Sequence, residues 1–170
     1  VKTGTLTYYD LWPVNDSYKG NYEGDVEARY YKLPSDRWKQ WISLRTLSDQ
    51  GVPHKFGYPC DGLISFPCSK REDFEMVAYL DNRLRQQKAF NAMHHNCCDF
   101  VSDAITYLTD REIVAKEFII KNFATTPNEL YKVLAGWQEV EVIKNPGESI
   151  NGSFVQERVY ERFLPLLGLF

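Results

Sequence analysis

Residues 94–100 read HHNCCDF and set two imidazoles, an amide, two thiols and a carboxylate side by side. Residues of these types could build a metal centre, a disulfide corner or a cysteine nucleophile. Zinc sites draw paired ligands, about two to five residues apart, from two segments, whereas adjacent side chains diverge and do not reach one ion. Adjacent cysteines such as Cys97 and Cys98 are also poorly placed to bridge one another. The third chemistry fits better. Asn96 is a preferred helix cap, so Cys97 becomes the first helical residue, where unpaired N–H groups and the positive helix end favour a thiolate.

A thiolate nucleophile needs a base, and the chain holds three histidines, His54, His94 and His95. The last two precede Cys97 too closely to reach back over the first turn. His54 lies in the strand-like stretch VPHKFGY and is the expected base, taking the Cys97 proton and returning it to the leaving group. Asp61, just beyond that strand, is assigned by position to the third role, orienting the imidazole. An oxyanion is expected to meet the N–H of Cys97 or of its neighbour. At about 100° per residue, Cys97 is expected to face the rest of the fold and Cys98 to sit at the edge of the apolar face.

The elements that must hold these groups follow from patterning. TLTYYDLW, VEARYYKL, WKQWISLRT, VPHKFGY and LISF are rich in β-formers and separated by turn residues, so they read as strands. Ser69 and Glu72 have capping-box spacing ahead of Phe74, Val77, Leu80 and Leu84, which predicts a helix to about Gln87 with those residues inward. A second helix starts at Asn96 and carries Phe100, Val101, Ala104, Ile105 and Leu108 on one face. DREIVAKEFIIKNF reads as a further helix. TTPNELYKVLAG reads as another, with Thr126 as cap, Pro127 in the first turn, Glu129 closing the box and Gly136 at the end. QEVEVI is strand-like, and FVQERVYERF is expected to be helical until Pro165 stops it. Strands first, helices next and a strand near the end predict an α+β fold, an antiparallel sheet packed against helices.

At 170 residues without repeats or linkers, the chain is expected to form a single domain, 1–170. Its net charge of −3 is spread without a basic patch, which argues against nucleic acid as a partner. No apolar run approaches a membrane span, and the opening VKTGTLTYYD lacks the regions of a signal peptide. Cys60 and Cys68 flank GLISFP and suit either redox state.

NCCDFV, residues 96–101, resembles the Asn-Cys-x-x-Phe-Val signature of the circularly permuted papain-like hydrolases of the NlpC/P60 type. Upstream the resemblance takes in KFGYP, GLISFPC and the helix leading to the motif, and downstream it reaches TPNELYKVL, so it covers roughly residues 38–135. It implies a permuted papain-like fold with Cys97 as nucleophile and no metal or organic cofactor. It further implies a cysteine amidase or endopeptidase cutting peptidoglycan stem peptides, as do secreted antibacterial effectors of type VI secretion systems. Such an effector is delivered to the target-cell periplasm by a secretion-apparatus carrier and is held in check by a cognate immunity protein. One departure stands out: where the family pattern implies a histidine, near Trp38 to Trp41, this chain reads WKQW, so His54 has to serve from the neighbouring strand. Two other readings share the scaffold. One is a lipid acyltransferase or thioesterase with LPLLGLF lining a groove, and the other a catalytically altered binding module anchored by Trp12, Trp38 and Trp41.

Overall fold

The structure, a computed structural model, describes residues 7–14, 24–33, 62–119, 122–146 and 163–169. In chain order the elements are β1 (Tyr8–Pro13), β2 (Ala28–Leu33), β3 (Gly62–Pro67), α1 (Lys70–Gln86), α2 (Cys97–Thr109), β4 (Lys116–Ile119), β5 (Asn122–Thr125), α3 (Pro127–Ala135), β6 (Glu141–Lys144) and β7 (Phe163–Leu169). The result is a mixed α+β fold of small antiparallel sheets and three helices among the described residues. The expected strands WKQWISLRT and VPHKFGY lie outside the described residues, and with them Trp38, Trp41, His54, Cys60 and Asp61.

β1 and β2 pair antiparallel from Tyr8 opposite Leu33 to Pro13 opposite Ala28. β3 is the centre of a second sheet, with β6 on one edge and β7 on the other, both antiparallel. Its run GLISF is buried residue after residue, the pattern of a strand covered on both faces. Gly62 opens it because the Tyr131 ring passes so close that a Cβ there would lie 2.6 Å from the ring. β4 and β5 form a separate hairpin.

α1 starts where the sequence places it. Ser69 accepts the Glu72 N–H, and the Glu72 carboxylate accepts the Ser69 N–H at 2.6 Å, the two halves of a capping box. Its inward face is the expected one only in part: Leu80 is buried and Leu84 packs against the core, but Met76 is buried while Phe74 is 74% exposed. The helix is turned towards α2, on which Tyr79 stacks against Tyr107 and Arg83 pairs with Asp103. α2 itself buries Phe100, Val101, Ala104 and Ile105, as the periodicity predicts. The core joins these side chains to Tyr9 and Leu11 of β1, Ile64 and Phe66 of β3, and Leu130 and Leu134 of α3.

One expected helix is a pair of strands, and the other, expected through Arg162, lies over residues 154–162, outside the described residues. Within DREIVAKEFIIKNF, α2 ends in the left-handed conformation of Asp110, and Lys116–Ile119 pairs antiparallel with Asn122–Thr125, with Phe118 directly opposite Phe123. The two rings meet edge to face at 5.2 Å, an aromatic cross-strand pair that the helical reading of the same residues had no way to favour. At the other end, residues 163–169, FLPLLGL, pair with β3 along its length as a strand at the edge of that sheet. Pro165 is compatible with that place because an edge strand has one side without ladder bonds. α3 matches its expectation from Thr126, which accepts the Glu129 N–H, to Gly136. Glu129, however, pairs with Lys132 at 2.6 Å instead of completing the box. QEVEVI contributes β6, displaced slightly towards its end.

Candidate functional site

The approach to α2 is stitched before the helix begins. Phe90 and Val26 exchange both backbone hydrogen bonds at 2.9 Å, tying the segment before the helix to the segment before β2. One turn later Asn91 and His95 exchange theirs at 3.0 Å, while the Asn91 side chain accepts the Met93 and His94 N–H groups and donates to Asp25. The chain therefore arrives at Asn96 in one geometry.

Asn96 is the hinge pin of the site. Its Oδ1 accepts the N–H groups of Cys98 at 2.7 Å and Asp99 at 3.0 Å, and its Nδ2 donates to the carbonyls of Ala92 and Thr125. Asp99 returns the favour by accepting the Asn96 N–H at 3.0 Å, and its other oxygen accepts the Thr125 hydroxyl at 2.5 Å. The cap thus locks the first turn of α2 to the end of β5. It also consumes the Cys98 N–H, leaving that of Cys97 itself, which no described residue accepts, as the one to meet an oxyanion.

The two cysteines sit opposite to the expected order. Cys98 is buried at 2% exposure in the core, and Cys97 keeps partial exposure. Rotation along the helix matches the expectation from residue 100 onward, and in the first turn Cys98 joins the core while Cys97 packs against it.

The sulfur of Cys97 does not behave as the helix position alone suggests. A hydrogen bond with Cys98, burial, the neighbouring Cys98 thiol and the Asp10 carboxylate push its thiol well above the ordinary cysteine range, against a smaller downward pull from the Cys98 N–H. The magnitudes explain the sign. A helix end contributes about 0.3–1 kcal/mol, less than one pKa unit, whereas burial shifts groups by up to about 3–5 units. Among the described residues, then, the surroundings of Cys97 favour the thiol over the expected thiolate.

Asp10 and Tyr8 escaped the sequence reading. Both lie on β1, both are buried, and the Tyr8 hydroxyl donates to Asp10 Oδ2 at 2.6 Å while the Leu11 N–H donates to Oδ1 at 2.7 Å. Burial and the Asp10 carboxylate raise the Tyr8 phenol far above its usual range. The available signal was an aspartate inside an aromatic strand, YYDLWP, where this residue type is depleted.

Among the other histidines, His95 Nε2 lies 3.2 Å from the Tyr30 hydroxyl. That hydroxyl donates to the Lys88 carbonyl, so it accepts from the imidazole. Burial, with Arg83 and Lys88 nearby, lowers the His95 pKa, which keeps the ring neutral at pH 7. Of the three residues expected at the site, the described structure thus contains Cys97 alone; His54 and Asp61 lie outside it. Among the described residues no group of three or more His, Cys, Asp and Glu side chains is placed to hold a metal ion. No described helix is long and apolar enough to cross a membrane. Searches of protein-family models, curated proteins and solved structures find no match to the chain.

Proposed function

We propose that this chain is a cysteine hydrolase of the amidase or endopeptidase type, acting on peptidoglycan stem peptides within a permuted papain-like fold. One observation carries the chemistry: a partly exposed cysteine occupies the first position of a helix whose Asn96 cap takes the next two N–H groups and spares that of Cys97. Such a place offers a nucleophile and an oxyanion donor at one point. The substrate class rests on the resemblance of NCCDFV to the NlpC/P60 signature, as do delivery to a target-cell periplasm, a secretion carrier and an immunity partner.

In this reading the Cys97 sulfur attacks the amide carbonyl as His54 takes its proton, and the carbonyl electron pair moves to the oxygen facing the Cys97 N–H. Collapse expels the amine, which receives the proton from His54. Water then opens the thioester and restores the thiol. A resting thiol demands that proton removal accompany attack, so the base does more here than in a preformed thiolate–imidazolium pair.

The raised Cys97 thiol favours a second reading, a binding module of altered chemistry, in which Trp12 of β1 is one anchor. Digestion of purified peptidoglycan, read by mass spectrometry of released fragments, separates the two. The hydrolase releases muropeptide fragments, and Cys97→Ser and His54→Ala abolish the release while leaving the circular dichroism unchanged. Undiminished cleavage by Cys97→Ser overturns the mechanism, and retention of peptidoglycan without cleavage by the unsubstituted protein establishes the binding module.

A further inference from the structure

The β4–β5 ribbon is patterned the wrong way round for a piece of surface structure. Successive residues of a strand face opposite sides, and residues directly opposite one another share a side. The register Lys116–Thr125, Glu117–Ala124, Phe118–Phe123 therefore sorts the ribbon into two faces. One face is turned to the body of the protein: Ala124 and, just ahead of β4, Ala115 are buried, and Glu117 accepts the Thr126 hydroxyl at 3.0 Å where α3 begins. The other is turned to solvent and carries the larger groups, Phe118 at 62% exposure and Phe123 at 55%, with Val114 exposed just before the strand. An antiparallel ribbon with one solvated face ordinarily sets its large apolar groups inward. Here methyl groups face in and phenyl rings face out, and exposed apolar groups gathered on one face mark a contact site.

The exposed face begins at the head of α2. Thr125 lies on it, and its hydroxyl donates to Asp99 in the first turn of that helix while its carbonyl accepts from the Asn96 side chain. Phe123 follows two residues away, about 7 Å along the strand, with Phe118 directly across from it. The two rings meet edge to face at 5.2 Å, so Phe123 braces Phe118. On the same face Lys116 stands opposite Thr125, exposed, and no carboxylate among the described residues pairs with it.

The size and charge of this face select among occupants. A stable protein interface engages about 20–30 residues a side, far more than one short row. An anionic lipid surface is held by clustered basic residues, whereas over residues 110–125 the acids Asp110, Glu112 and Glu117 balance the bases Arg111, Lys116 and Lys121. A sugar matches better: its ring is the size of a phenyl ring and presents C–H bonds to the negative aromatic face, and the ammonium of Lys116 suits a carboxylate on an attached peptide.

We propose that the outward face of the β4–β5 ribbon binds the sugar–peptide junction of peptidoglycan, with Phe118 stacked on a sugar ring and Lys116 on a carboxylate of the attached peptide, so that the peptide is led to the head of α2. This deepens the cysteine-hydrolase reading and rests on it for the substrate. Phe118 and Lys116 are specificity residues that contact the substrate away from the bond that breaks.

Binding is read on the Cys97→Ser protein, which leaves the substrate uncut, by co-sedimentation with peptidoglycan sacculi and by calorimetric titration with two soluble probes. One probe is a disaccharide–tetrapeptide fragment, the other an uncharged oligomer of N-acetylglucosamine. Phe118→Leu keeps the bulk against Phe123 but removes the flat face, and should weaken both probes by roughly tenfold, the scale of one stacked ring. Phe118→Tyr keeps the ring and should bind as the parent does. Lys116→Gln should weaken the fragment, with its carboxylates, and spare the uncharged oligomer. A Phe118→Leu protein that binds both probes as tightly as the parent overturns the proposal, as does a parent that binds neither. Sedimentation with vesicles of phosphatidylglycerol and phosphatidylcholine but not with sacculi assigns the face to a lipid surface, and a dimer that Phe118→Leu dissociates assigns it to a second copy; either result overturns the proposal too. Cleavage is scored separately on the unsubstituted protein: ring-dependent binding without released fragments keeps this face and sinks the hydrolase reading, whereas cleavage with binding indifferent to Phe118 does the reverse.

Discussion

Asn96 joins three parts of this molecule, because its amide caps α2 and at the same time binds the loop before it and the strand after it. Asn96→Ala loses the cap and leaves the Ala92 and Thr125 carbonyls short of a donor. Loss of a cap costs about 0.5–2 kcal/mol, and buried groups left unpaired add about 1–3 kcal/mol each. Urea denaturation should therefore show Asn96→Ala less stable than Thr125→Val, which removes a single bond to the Asp99 carboxylate at about 1.5–3 kcal/mol. Equal losses would mean that the two carbonyls find water. The cap was legible in the sequence because capping is decided within four residues. The relative depth of Cys97 and Cys98 was not, because it depends on where β1, some ninety residues earlier, comes to lie.

Helix α1 shows the same divide one level up. Ser69 and Glu72 announce its start, but its sequence contains two overlapping apolar stripes, one through Phe74 and Val77 and one through Met76 and Leu80. Periodicity does not choose between them; the neighbouring helix does, by stacking Tyr107 on Tyr79. The choice has a measurable signature. Phe74→Ser should alter stability by no more than about 0.5 kcal/mol, as surface changes do, while Met76→Ala should cost about 2–5 kcal/mol as a core truncation. At the opening of β3, Gly62→Ala should destabilise by about 1–3 kcal/mol, because the new methyl meets the Tyr131 ring and displaces a side chain that donates to the Lys144 carbonyl of β6. Chemical denaturation measures all three. The β4–β5 hairpin was misread for a related reason: its alternation is short, and the Phe118–Phe123 pair that stabilises it exists only once the strands meet.

For the molecule as a whole, the buried acids predict a one-sided response to alkali. Tyr8 and Tyr9 are raised chiefly by burial, and Cys97 chiefly by its hydrogen bond with Cys98 and by burial. In each case the folded state holds its proton at a pH where the unfolded chain has released it. Stability is thus fully present below the unfolded values, about 8.5 for the thiol and about 10 for the phenols, and falls as pH rises past them. Each group contributes up to about 1.4 kcal/mol per pH unit beyond its unfolded value. His95 has the opposite sign: its folded pKa is lowered first by burial, so its contribution is present above about 6.5 and is lost as the pH falls below it. Thermal melts across pH should give a plateau from about pH 6.5 to about pH 8.5 and a decline on both sides, and a melting temperature still rising at about pH 10 would contradict the burial of Tyr8 and Tyr9.

The sequence by itself determined what is local: the caps at Ser69, Asn96 and Thr126, the helices they start, the strands β1, β2 and β3, and the arrival of a cysteine at the head of a helix. Each of these is decided by hydrogen bonds and steric preferences spanning a few residues. Only the tertiary structure decided that 163–169 returns to flank β3, that Cys98 is more deeply buried than Cys97, and that Asp10 is buried with the Tyr8 hydroxyl on it. Those outcomes follow from surfaces far apart in the chain being pressed together, where burial and charge outweigh the local field of a helix end.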